Sequence, residues 1–268
     1  MVVPVESTEV CADCGGQGWV SSDEELGLVR RCSCRVSRDV GRLLRNAGIP
    51  PRYVACRLSG FQASDHRSAG RDQLVRAKSL CRRYVDDFLR EEDGRHFCDT
   101  GLLFAGPPGV GKTHLAAAVL IELIETYHVR GRFVDLTALT HELQAVMDPE
   151  SERSRGSILR PIETAEVLVL DELGSQKSTA WSRDVLYNLI NRRYAKRLPT
   201  LFTTNFRLDA GPAEREPLDR ARETGRVELL SYRIPAVLVS RLHEMAQPIS
   251  LDAVSDYRLE VRSHQHQA

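Results

Sequence analysis

Lysine is nearly absent from this 268-residue chain. Lys78, Lys112, Lys177 and Lys196 are the only four, so thirty-three of its 37 basic residues are arginine. Net charge is missing too: 37 acids balance the 37 bases, which excludes wholesale neutralisation of phosphate and confines any nucleic-acid contact to a local patch. No apolar run approaches the roughly 18 residues that a membrane span requires. Residues 1–10 lack the basic start and apolar centre of a signal peptide, so the expected location is the cytoplasm, with no membrane partner. Thiols stay reduced there, and seven cysteines therefore point to metal rather than disulfides. Internal repeats and low-complexity tracts are also lacking, and the 42% apolar content suffices for a core of ordinary size.

What is present divides at Gly48-Ile-Pro-Pro51, where proline ends the helical pattern of Val40 to Asn46. Beyond it, Leu74, Ala77, Leu80, Tyr84, Phe88 and Leu89 recur at three- and four-residue steps, predicting an amphipathic helix from Gly70 to about Arg90. After Asp99 short apolar runs alternate with helical stretches. Residues 101–105, 132–135, 166–170 and 200–204 read as strands, and 112–127, 136–147 and 181–196 as the helices between them. That rhythm predicts an α/β fold whose parallel sheet is covered on both faces. Residues 148–157 and 209–226 read as charged loops, and His264 and His266 as part of a terminal tail.

Three strand ends carry chemistry. Gly106, Pro107, Pro108, Gly109, Val110, Gly111, Lys112 and Thr113 follow a strand and open a helix, the context of a phosphate-binding P-loop. Its glycines let backbone N–H groups converge on phosphates at a helix N-terminus. Lys112 would reach the β- and γ-phosphates of ATP, and the Thr113 hydroxyl would ligate Mg²⁺; His114 follows directly. Residues 167–170 then end in Asp171, suited to holding Mg²⁺ through its water shell, and Glu172, suited to polarising the attacking water. The last strand ends in Asn205, an amide able to orient the same water or simply to form a turn.

Cysteines 11, 14, 32 and 34 supply four thiolates, the usual number for structural Zn²⁺. The first pair has the two-residue spacing of a knuckle followed by glycines, and the second has a single intervening residue. Arginines 30, 31, 35, 38, 42, 45, 52 and 57, against the single acid Asp39, form one strongly basic block near Trp19, Tyr53 and Phe61. Three uses fit it: a single-stranded DNA site, a protein-docking surface or a solvated helix face. Arg153, Arg155 and Arg160 offer an alternative route to a strand.

The run GPPGVGKTHLA, together with VLVLDELG, the FTTN strand end, Ser240-Arg241-Leu242 and Ser255-Asp-Tyr257-Arg258, resembles the AAA+ ATPases of the DnaC/DnaI helicase-loader and IstB transposition-helper family over residues 49–258. The resemblance implies a P-loop NTPase core without a C-terminal lid domain, catalytic roles for Glu172, Asn205, Arg241 and Arg258, and nucleotide contacts from residues 106–114 and Asp171. Arg241 would be a finger inserted into a neighbouring subunit's ATP, which implies self-association, and Arg258 a sensor of the γ-phosphate in its own subunit. Ser231-Tyr232-Arg233 is a competing tripeptide for the latter. The N-terminal cysteine module resembles that of DnaI-type loaders, where it grips the helicase. The implied organisation is a zinc module and basic helix over 1–48, a linker over 49–64, the AAA+ core over 65–262 and a tail over 263–268. The implied activity is Mg·ATP hydrolysis in DNA replication, loading a replicative hexameric helicase on single-stranded DNA. A transposition helper and a nucleotide-gated adaptor with little hydrolysis stay open; the zinc knuckle argues against the first and Glu172 against the second.

Overall fold

A computed structural model describes residues 11–23, 28–63, 68–91, 95–146, 154–175, 179–208 and 229–259. The predicted tail, Arg153, and most of the two predicted charged loops lie outside these residues. No described helix is long and apolar enough to cross a membrane.

The core is a five-stranded, wholly parallel sheet formed by β5 (Gly101–Ala105), β6 (Gly131–Asp135), β7 (Val167–Asp171), β8 (Thr200–Thr204) and β9 (Ala246–Ser250). Its order is β6-β7-β8-β5-β9, so β8 lies between the P-loop strand β5 and the carboxylate strand β7. Alternation along each strand sends side chains to two separate cores. Leu102, Phe104, Val167, Val169 and Leu201 face one; Leu103, Leu168, Leu170 and Phe202 face the other. Burial of both sheet faces explains why β5 and β7 read as apolar runs; β8 is buried as fully, with Thr200, Thr203 and Thr204 beside Leu201 and Phe202.

The first core is built on α2 (Ser68–Asp86) and α3 (Lys112–Tyr127). The second uses α4 (Leu136–Ala145), α5 (Arg155–Glu163), α6 (Ala180–Ala195) and α7 (Ala236–Met245). Local signals set the helix starts: Asp135 accepts from the amides of Thr137 and Ala138, and Thr179 and Ser182 form a reciprocal capping box. Arg193 is fully buried, yet its guanidinium is satisfied by the carbonyls of Ile162, Ala165 and Pro199 and the Thr200 hydroxyl, tying the end of α5 to the start of β8.

Two expectations change here. The helix predicted to reach Arg90 stops at Asp86. The Tyr127 hydroxyl donates to the carbonyls of Val85 and Asp86 at that end, and β3 (Leu89–Glu91) then pairs with β4 (Arg95–Phe97). Residues 155–157, expected in a loop, open α5, with Ser154 as the N-cap. The segment after Pro50 is packed against the core: Cys56, Leu58 and Phe61 are buried, and Tyr53 stacks on Phe133 at 6.3 Å. Before it, an antiparallel hairpin of β1 (Trp19–Asp23) and β2 (Leu28–Arg31) leads into α1 (Ser33–Asn46), whose Leu43 and Leu44 also rest on the first core.

Candidate functional site

The carboxyl ends of β5, β7 and β8 meet in a cleft of about 670 Å³ that contains the P-loop. Gly109 turns with φ +80°, and a Cβ there would sit 1.9 Å from an Asp256 carboxylate oxygen; only glycine fits. Lys112, the first residue of α3, is 6% exposed, and its ammonium donates to the carbonyls of Gly106 (2.8 Å) and Pro107 (2.7 Å). Burial pulls its pKa from 10.5 down to about 8, opposed by the nearby charge of Asp171.

At the end of β7, Asp171 accepts from the hydroxyls of Thr113 (3.0 Å) and Thr203 (2.6 Å) on one oxygen. Burial raises its pKa while these two hydroxyls lower it. Thr203 also accepts from the Glu172 amide at 3.0 Å, fixing both acidic residues to β8. Glu172 adopts φ +62°, the left-handed region that a non-glycine residue rarely occupies. Its carboxyl is pushed up by burial and by the charges of Asp135 and Asp171. Asp135, paired in register with Asp171 at the end of β6, is therefore a third carboxylate at this edge.

Asn205 and Arg258 line the same cleft, as do Arg52, Tyr53, Phe61 and His114. Arg258 is near enough to help lower the pKa values of both Lys112 and Glu172. His114 packs 5.3 Å from the Phe61 ring and lies 3.4 Å through Nδ1 from Cys56 Sγ. Arg233, in the competing tripeptide, donates instead to the carbonyls of Gly174 and Ser175. Arg241 lies outside this cleft. On α7 it bonds the Asn191 side-chain oxygen and sits between the rings of Tyr187 (5.4 Å) and Tyr194 (5.6 Å).

Both metal expectations were compared with ligand geometry. An octahedron with bonds near 2.1 Å has edges of about 3 Å, the separation of the Thr113 and Asp171 oxygens, so this pair fits adjacent Mg²⁺ ligands. A tetrahedron with Zn–S near 2.3 Å has edges of about 3.8 Å. The thiols of Cys11, Cys14, Cys32 and Cys34 all lie within 4.8 Å of one another, with Cys11–Cys32 at 3.7 Å and Cys14–Cys34 at 3.4 Å. The hairpin creates this cluster by carrying the chain from the Cys11–Cys14 turn back to Cys32 at the N-cap of α1 and Cys34 in its first turn. The Gly18 amide donates to Cys14 Sγ at 3.2 Å and draws that thiol down to about 7. A proton shared with Cys14 pushes Cys34 up to about 12. Four thiols so close cannot all ionise without a cation, and the donor set suits Zn²⁺.

Sequence reasoning missed Thr203 and Asp135, because a threonine inside a strand and an aspartate beginning a helix carry no motif. It also missed the wall formed by Arg52, Tyr53 and Phe61, whose residues were assigned to a linker and a basic block.

The description of IstB-like ATP binding proteins matches residues 76–211, half of the chain. The replicative helicase loader DnaC of Escherichia coli K12 is 26% identical over 201 residues, covering 72% of this chain and 74% of DnaC. DnaI, the replicative helicase loader of Bacillus subtilis 168, is 31% identical over 172 residues, 63% of this chain and 51% of DnaI. The crystal structure of the DnaC helicase loader superposes with a TM-score of 0.58 at 29% identity, covering 75% of this chain and 99% of that one. By its P-loop, its flanked parallel sheet and this match, the chain belongs to the IstB-like ATP-binding family and has the AAA+ P-loop fold of the DnaC and DnaI loaders.

Proposed function

We propose that this protein hydrolyses Mg·ATP at a contact between its own copies and uses the cycle to place a replicative hexameric helicase on single-stranded DNA. The observation that carries the reading is the convergence of Lys112, Thr113, Asp171, Glu172 and Arg258 in one cleft, in a chain whose relatives include replicative helicase loaders.

In this reading Lys112 exchanges the Gly106 and Pro107 carbonyls for the β- and γ-phosphates. Thr113 and Asp171 hold magnesium, which neutralises charge on the transferring phosphoryl group. Glu172 takes the proton of the attacking water as its oxygen bonds to the γ-phosphorus and the bond to the ADP oxygen breaks; Asn205 helps to orient that water. The carboxyl's raised proton affinity makes it a stronger base than a free glutamate. Arg258 faces the γ-phosphate in its own subunit. Arg241, released from Asn191 and its tyrosines, reaches the neighbouring subunit's nucleotide. The four-cysteine module holds zinc and contributes to gripping the helicase.

The family name supports a second reading, a transposition helper, against which the zinc module argues. Affinity capture in ADP and in a slowly hydrolysed ATP analogue, followed by mass spectrometry, separates the two. Recovery of a hexameric helicase supports the loader, and recovery of a transposase replaces it.

A further inference from the structure

The basic block read from the sequence does not stay one block in the structure. Arg57 is spent on Glu125 (2.7 Å) and on the carbonyls of Cys56 and Val54. Arg52 lines the nucleotide cleft. The remaining α1 arginines, 35, 38, 42 and 45, recur at steps of three, four and three, which places them on one side of the helix. The opposite side carries Leu43 and Leu44, packed on the ATPase core. The basic side therefore faces away from that core.

This stripe is about 15 Å long, from ten residues at 1.5 Å each. Arg38, Arg42 and Arg45 are exposed. At its hairpin end the Arg35 guanidinium lies 4.6 Å over the ring of Trp19, which is itself 40% exposed. The acid beside the stripe, Asp39, touches Arg42 at 3.2 Å; both are exposed, and such a pair is worth too little to hold the arginine against a phosphate. The other exposed neighbours, Ser33, Ser37 and Asn46, are polar, so the surface lacks the apolar centre of a stable protein interface.

We infer that Trp19 and the outward face of α1 bind single-stranded DNA, the arginines taking successive backbone phosphates and the indole stacking on a base. The inference rests on the proposed action on single strands and assigns it a surface. A row of fork-shaped donors matches a chain of phosphates, and an exposed ring beside an arginine supplies the stacking platform that single-strand sites share. Because the chain continues from α1 through Arg52 and Tyr53, which line the nucleotide cleft, strand and nucleotide would be held by neighbouring parts of one segment.

The test is fluorescence anisotropy of a labelled oligothymidylate with the full chain over a series of salt concentrations. Arg42→Glu/Arg45→Glu should weaken binding at least about tenfold and reduce the log–log salt slope by about 1.4, from two lost contacts at roughly 0.7 each. Trp19→Ala should weaken it roughly 5- to 150-fold, the range for one stacked base. Zinc content and basal ATP hydrolysis should match wild type in both variants, showing an intact fold. Unchanged affinity and slope in the double variant would overturn the assignment. So would loss of helicase capture with DNA binding intact, which would make the stripe a protein dock. A wild-type chain that binds no oligothymidylate removes the DNA site, while helicase capture separately decides the loader reading.

Discussion

Raising the pH should weaken nucleotide binding from about pH 8, well before an ordinary lysine titrates. Burial moves Lys112 from 10.5 to about 8, roughly 2.5 units, or about 3 kcal/mol against the charged form. The carbonyls of Gly106 and Pro107 only partly replace the lost water. Phosphates arriving beside the amine restore its preference for the proton, so binding above this pKa must take one up. Affinity then falls tenfold per pH unit, reaching about 30-fold, ~2 kcal/mol, between pH 7 and about pH 9.5. Calorimetric titration with a slowly hydrolysed ATP analogue, in two buffers of different ionisation heat, reads both the affinity and the proton uptake. Constant affinity without uptake up to about pH 9.5 would refute the argument, because a lysine near 10.5 stays charged throughout. Without ligand the sign reverses: between the two pKa values the unfolded chain binds more protons, so stability should rise with pH across that window.

Four further outcomes follow from the same geometry. Lys112→Ala should abolish ATP binding, checked by nucleotide filter retention, whereas Glu172→Gln should bind normally and hydrolyse at least ~10²-fold more slowly. The wild-type hydrolysis rate should fall on acidification at a pH above the ordinary glutamate value of 4.5, because Glu172 must be ionised to accept a proton and its pKa is raised. Cys11→Ser or Cys14→Ser should lose close to one equivalent of zinc by elemental analysis and expose the hairpin to protease; metal-free protein with a resistant N-terminus would contradict the module. Arg241→Ala should bind ATP but hydrolyse it about 10³-fold more slowly, and mixing it with Lys112→Ala should restore activity, since each variant supplies the half the other lacks. No recovery despite co-assembly would remove the finger.

β5 and β7 were legible because a strand buried on both faces reads as an apolar run, β8 because its threonines are β-branched and flank Leu201 and Phe202, and the P-loop because glycines, lysine and paired carboxylates at strand ends are rare combinations. β9 was not. Its residues, Ala246-Gln-Pro-Ile-Ser250, place a proline mid-strand, which reads as a break and is tolerated because β9 is the sheet's edge. The cysteine group was visible from spacing alone, but the hairpin that brings its two halves together was not, and neither was the start of α1 that carries Cys32 and Cys34. Trp19 was seen only as lying near a charge block; which arginines stand beside it depends on how α1 is mounted, a tertiary fact. The lining by Arg52, Tyr53 and Phe61 escaped for the same reason, as Pro50 and Pro51 suggest a free linker when read without Phe133 and α3 to pack against.

Helicase delivery decides whether this protein is a loader. A replicative hexameric helicase, circular single-stranded DNA coated with single-strand-binding protein, and an annealed labelled strand are combined with this protein, and release of the label is followed. Release should require this protein and ATP and be lost with Lys112→Ala. Release at the same rate without the protein, or with Lys112→Ala in its place, would contradict it.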